Sequence, residues 1–132
     1  YQRWVNDAYW LMMPLKLKDP GAQLQRVDDR SWNGDTWTVV KLTFGDVGLT
    51  PGDTYWLYVD PKTDRVARWT MKLEGQTGDP TPVTWTDYRQ VGPLMLAHDH
   101  RMEGSNRHIQ FRNTEAHATV QASVFRAPEA NP

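Results

Sequence analysis

The sequence predicts an all-β fold built on one curved antiparallel sheet, and three observations point there. Most apolar residues alternate at period two, turn residues interrupt them about every eight to fifteen positions, and helical signatures are scarce. Alternation sends successive side chains to opposite faces of a strand. Strands are expected near Ala8–Leu17, Gln23–Asp28, Thr36–Phe44, Thr54–Asp60, Arg65–Leu73, Thr84–Val91, Leu94–Met102 and Arg107–Ala116. Between them lie Asp19-Pro20-Gly21, Trp32-Asn33-Gly34-Asp35, Thr50-Pro51-Gly52-Asp53 and Asp79-Pro80-Thr81-Pro82, which carry the residues that turns demand. No helix beyond about three turns is expected. Asn113–Phe125 reads as a strand ending in a short turn at Val120–Phe125.

A chain of 132 residues suits one domain with a sizeable core. Seven Trp, five Tyr and three Phe can either fill that core or line a cavity, since both draw on large rings. Fifteen basic residues nearly balance sixteen acidic ones, and no basic stripe appears, which argues against a nucleic-acid partner. No apolar run is long enough to span a bilayer as a helix. Cysteine is absent, so disulfides, thiolate chemistry and cysteine metal sites are excluded.

Two hairpins follow from turn chemistry. Around Asp60-Pro61, Pro presets φ and Asp60 can cap the turn. Pairing Asp60 with Arg65 places Trp56 opposite Trp69, so that Trp56, Tyr58, Trp69 and Met71 share one face. A one-residue slip sets Trp56 across from Arg68 instead. The other face carries Tyr55, Leu57, Val59 and Val66, so the hairpin wants cover on both sides. Leu94–Met102 and Arg107–Arg112 form the second hairpin, about a two-residue turn at Gly104-Ser105. His100 then meets Ile109, and His98 meets Phe111. Leu94, Leu96, His98 and His100 lie on the apolar face.

Chemistry is sparse. His98 and His100 project to one side and could share a metal ion, but a third ligand is lacking. They are expected to bind none and to face the interior or a cavity rim. No Gly-x-Ser-x-Gly elbow exists, and Ser31, Ser105 and Ser123 sit in turn-like or terminal contexts. Asp87 and Glu74 are the only strand candidates for the pair of inward-facing carboxylates a glycosidase needs, and a solvated or salt-bridged state suits them better. The glycines of Gly45–Gly52 lack the Lys-Ser/Thr pair and helix of a phosphate loop.

Several segments together resemble the LolA/LolB/LppX-like periplasmic lipoprotein carriers. Tyr55-Trp-Leu-Tyr-Val-Asp-Pro-Lys-Thr-Asp-Arg-Val resembles their central hairpin, and Trp85-Thr-Asp-Tyr-Arg-Gln-Val-Gly-Pro-Leu-Met-Leu the strand pair after it. Ser123-Val-Phe-Arg-Ala-Pro is similar to their closing segment, whose Phe tucks beneath the sheet. Tyr9-Trp-Leu-Met-Met-Pro-Leu-Lys-Leu and Val47-Gly-Leu-Thr-Pro-Gly-Asp resemble an outer-membrane lipoprotein-sorting-like subgroup. The resemblance runs from about Trp4 to Pro128. Gly92-Pro93, and His98 with His100, depart from the pattern, as does the missing helical and stranded front end.

The resemblance implies a half-barrel, all-β or β-dominated α+β if a helix preceding this chain is counted. Its hollow holds acyl chains, at the periplasm or outer membrane. On that reading, residues 1–132 are one β domain, the C-terminal portion of a longer one, and 127–132 form a flexible tail. The function implied is non-enzymatic carriage of a hydrophobic ligand, with no cofactor. Trp10, Met12, Trp56, Tyr58, Trp69, Met71, Leu96 and His98 are the candidate ligand-binding residues. A separate N-terminal segment or partner chain is expected to cover the concave face bearing Trp10, Trp56 and Trp69, because large bare apolar patches are rare. Two rivals remain: an interaction protein whose apolar sheet face or edge packs on a partner, and a small hydrolase using Asp87 and a histidine.

Overall fold

The computed structural model describes residues 1–126, apart from the Phe125 side chain. The expected tail and the end of the closing motif therefore lie outside the described residues. One helix, α1 (Gln2–Lys16), precedes seven strands: β1 (Ala22–Trp32), β2 (Asp35–Phe44), β3 (Thr54–Val59), β4 (Val66–Lys72), β5 (Thr81–Val91), β6 (Leu94–Met102) and β7 (His108–Gln110). The strands form one antiparallel sheet in sequence order. The fold is β-dominated, a curved open sheet with one helix, in the manner of a half-barrel.

The helix corrects the strand expected over Ala8–Leu17. Its 15 residues also exceed the three turns allowed above. Tyr9, Trp10, Met13 and Leu17 recur at helical spacing, and Trp10 and Met13 are the buried positions of α1. Pro14 stands one turn from the end, where its missing N–H interrupts only the bond to the Trp10 carbonyl. What favours helix here is tertiary: the stripe meets a ready apolar face. α1 thus lies over that face from within the chain.

That helix-bearing face, here the inner face, holds Leu42, Tyr55, Leu57, Trp69, Val83 and Trp85 with Trp10 and Met13. Trp10 lies 4.7 Å from Trp69 and 5.7 Å from His100, ring centre to ring centre. Tyr9 lies 6.0 Å from Tyr55. The helix therefore reaches β3, β4 and β6.

The first hairpin holds its expected turn but not its expected register. Asp60 N–H donates to the Arg65 carbonyl, and the Asp60 carboxylate accepts from Lys62 N–H and the Thr63 hydroxyl, each at 2.9 Å. Val59 pairs with Val66, but Tyr58 pairs with Arg68, so Ala67 is left over as a bulge. Trp56 then faces Thr70, and Trp69 faces Leu57. Trp56 and Tyr58 consequently lie on the outer face, opposite Trp69 and Met71. Neither the expected pairing nor its slipped alternative occurs.

The outer face covers itself without a helix. Trp32, Trp37 and Tyr58 gather there, with 4.9 Å between the two indole centres. The Arg68 guanidinium lies 4.8 Å from the Tyr58 ring centre and 5.3 Å from that of Trp32, and Glu103 accepts two of its N–H bonds. Beneath this layer Val39 is fully buried.

The second hairpin keeps its register, with His100 opposite Ile109. Its loop is longer than expected, since Met102 N–H donates to Arg107 across four residues. The final strand stops at Gln110 rather than Ala116, and a single 3-10 turn, Ala122–Phe125, closes the described chain. Near Asp87, at φ 55°, the alternation breaks. Trp85 and Tyr88 both turn inward, as do Ala97 and His100, so Ala97 replaces Leu96 in the core.

Candidate functional site

A hollow of about 690 Å³ opens between α1, the inner face and the β2–β3 loop. Its size falls within the roughly 300–1,000 Å³ usual for small-molecule sites. Tyr9 and Trp10 of α1 form one wall, and Phe44, Tyr55, Trp69 and Met71 of the sheet form the other. Val47, Gly48, Leu49 and Thr50 roof it. The roof is seated at Gly21, where an added Cβ would come within 2.1 Å of the Val47 Cγ2. Gly21 also has φ +90°, so glycine meets two demands there.

Polar groups line the hollow as well. Asp53, 5% exposed, accepts from Glu74 N–H at 2.8 Å and from the Tyr55 hydroxyl at 3.2 Å. These bonds tie the loop end to β3 and to the segment just after β4. Lys16 and Asp19 pair on the rim. Burial, reinforced by the Asp53 charge, pushes the Tyr55 hydroxyl far above its ordinary range. The same holds for Tyr9, where burial leads and Asp19 and Asp53 add to it. Both phenols stay neutral at any physiological pH.

A second cavity, about 230 Å³, lies by the C-terminal end of α1 among Pro14, Leu17, Leu57, Val59 and Tyr88. The Tyr88 hydroxyl donates to the Val66 carbonyl at 2.6 Å, and burial pushes its pKa up to about 12.

Of the expected ligand residues, Trp10, Trp69 and Met71 line the larger hollow. Trp56 and Tyr58 do not, being on the outer face, where Trp56 lies 5.5 Å from the Arg30 guanidinium. Leu96 and His98 are buried away from it, and the His98 Nδ1 meets the Leu96 carbonyl at 3.0 Å. Met12 is partly buried on α1 and forms no part of the wall. Tyr9, Phe44, Tyr55 and the Val47–Thr50 roof were not anticipated. Their signal was the helical spacing in Tyr9–Leu17, and three glycines with two exposed apolar residues in Gly45–Gly52.

His100 is fully buried between Trp85, 4.1 Å away, and Phe111, and neither ring nitrogen has a partner. Burial drives its pKa down to about 4, outweighing the upward pull of Asp99. Asp99 instead receives Arg101 and meets His108 Nδ1 at 3.1 Å. No cluster of three metal-ligating side chains occurs among the described residues. Asp87 is exposed and held below its usual range by a two-bond pairing with Arg89. No helix among the described residues is long and apolar enough to cross a membrane.

Comparison with known proteins finds no matching family model, no matching curated protein and no matching solved structure.

Proposed function

We propose that the protein binds an apolar chain in the hollow beneath α1, and acts as a carrier of a lipid or acyl group at the cell envelope. The observation that carries this reading is the hollow itself, walled by aromatic rings from both helix and sheet and roofed by a separate loop. A close-packed interior leaves few voids larger than a water molecule. Burying each methylene contributes about 0.8 kcal/mol, so a chain of about ten supplies roughly 8 kcal/mol to set against the cost of association. The envelope setting follows from the resemblance to the lipoprotein carriers. The rival interaction reading draws on an apolar sheet face or edge, and the presence of α1 over the inner face favours the hollow over that face as the binding surface.

Mass spectrometry of an organic extract of the purified protein should show a bound apolar compound. Delipidated protein should enhance the fluorescence of the neutral dye N-phenyl-naphthylamine, and Met71→Trp, which enlarges a wall side chain, should abolish that signal while leaving cooperative unfolding intact. An empty extract together with an unresponsive dye would sink the proposal.

A further inference from the structure

The charge around the hollow is one-sided. Among the described residues, three carboxylates, Asp19, Asp53 and Glu74, line it against a single cation, Lys16, and Asp19 already holds that lysine. Asp53 is the unusual member. It is almost wholly buried, yet forms no ion pair among the described residues, and its two hydrogen-bond donors are both neutral. A carboxylate offers about four lone-pair positions, so roughly half of its capacity is unused. Buried charges are ordinarily paired, because desolvation without a counter-charge is costly.

The rings beside it suit the same partner. Tyr9, Phe44 and Tyr55 stand 6.0 to 6.2 Å from one another, and their electron-rich faces attract cations. An anionic head group would meet like charge on the rim and find no free cation among the described residues that line the hollow.

We infer that the hollow selects a cationic amphiphile, an alkyl or acyl chain bearing an ammonium head, with Asp53 as its counter-charge. The inference rests on the hollow being a ligand site and adds the sign of the ligand's charge. The chain lies along Trp10, Trp69 and Met71, and the head sits against Asp53 and the tyrosine rings.

Three probes of one chain length test it on the full protein at pH 7: dodecylammonium, dodecanol and dodecanoate, each below its micelle concentration, followed by dye displacement and calorimetry. Dodecylammonium should bind at least about tenfold more tightly than dodecanoate, with dodecanol between them. Asp53→Asn keeps an acceptor for Glu74 N–H and should shrink that preference to within about threefold. Asp35→Asn, at an exposed turn, should leave it unchanged. Dodecanoate binding as tightly as dodecylammonium, or a preference untouched by Asp53→Asn, overturns the inference while leaving the ligand site standing. Failure of all three probes overturns both. The native-chain comparison decides even if Asp53→Asn does not fold.

Discussion

Acid should weaken this fold through His100 before it reaches the carboxylates. The ring is fully buried with both nitrogens unpartnered, and its pKa falls from 6.5 to about 4. A group whose folded pKa is depressed lends stability above its unfolded pKa and loses it as pH falls toward the folded one. Between about pH 6.5 and 4 the unfolded chain binds a proton that the folded chain refuses. Linkage across that gap removes roughly 2 kcal/mol by pH 5 and roughly 3 by pH 4. Asp99 and His98 are the titratable neighbours that act on the ring, Asp99 raising its pKa and His98 lowering it. His100→Leu has no such proton to bind, and it also removes two unpartnered nitrogens. It should therefore be at least as stable as the native chain at pH 7, and should show a much flatter stability profile between pH 7 and 5. Urea unfolding at half-unit pH steps, read by tryptophan fluorescence, makes the comparison. Parallel losses in the two proteins over that window would refute the reasoning.

Two further outcomes concern packing. Trp69 is 1% exposed at the centre of the inner core, so Trp69→Ala should cost about 3–5 kcal/mol. Trp56 is only partly buried on the outer face, so Trp56→Ala should cost less than half as much; equal losses in urea unfolding would contradict the bulge at Ala67. Gly21→Ala combines a positive φ with a collision against Val47 and should cost about 1–3 kcal/mol, while raising hydrogen exchange in the Val47–Thr50 roof. Unchanged exchange there would mean that Val47 does not hold the roof.

Most of the sheet was legible because its signals are local. Asp60 caps its turn through its own neighbours, and Leu94–Met102 is bounded as expected because alternation and turn residues agree. Asn33-Gly34 joins β1 to β2 with φ of 50° and 80°, conformations that Asn and Gly tolerate best. What the sequence alone determined is thus the class of fold, the position of most strands, and a surplus of rings that must be buried somewhere.

Tertiary structure decided where those rings go. Tyr9–Leu17 alternates too weakly to exclude a helix, and only the inner face, assembled from β2 to β6, makes the Trp10 and Met13 stripe worth burying as one. A single unpaired residue, Ala67, sends Trp56 and Trp69 to opposite sides, and no local propensity at that position announces it. The hollow depends on both events, since it lies between a helix and a register that the sequence leaves open. Its charge comes from Asp19, Asp53 and Glu74, three residues that the sequence places at turns or a strand end and only the folded chain brings to one wall. Turn and alternation preferences act over a few residues, whereas burial and pairing act across the whole sheet, and the site is made by the second kind of force.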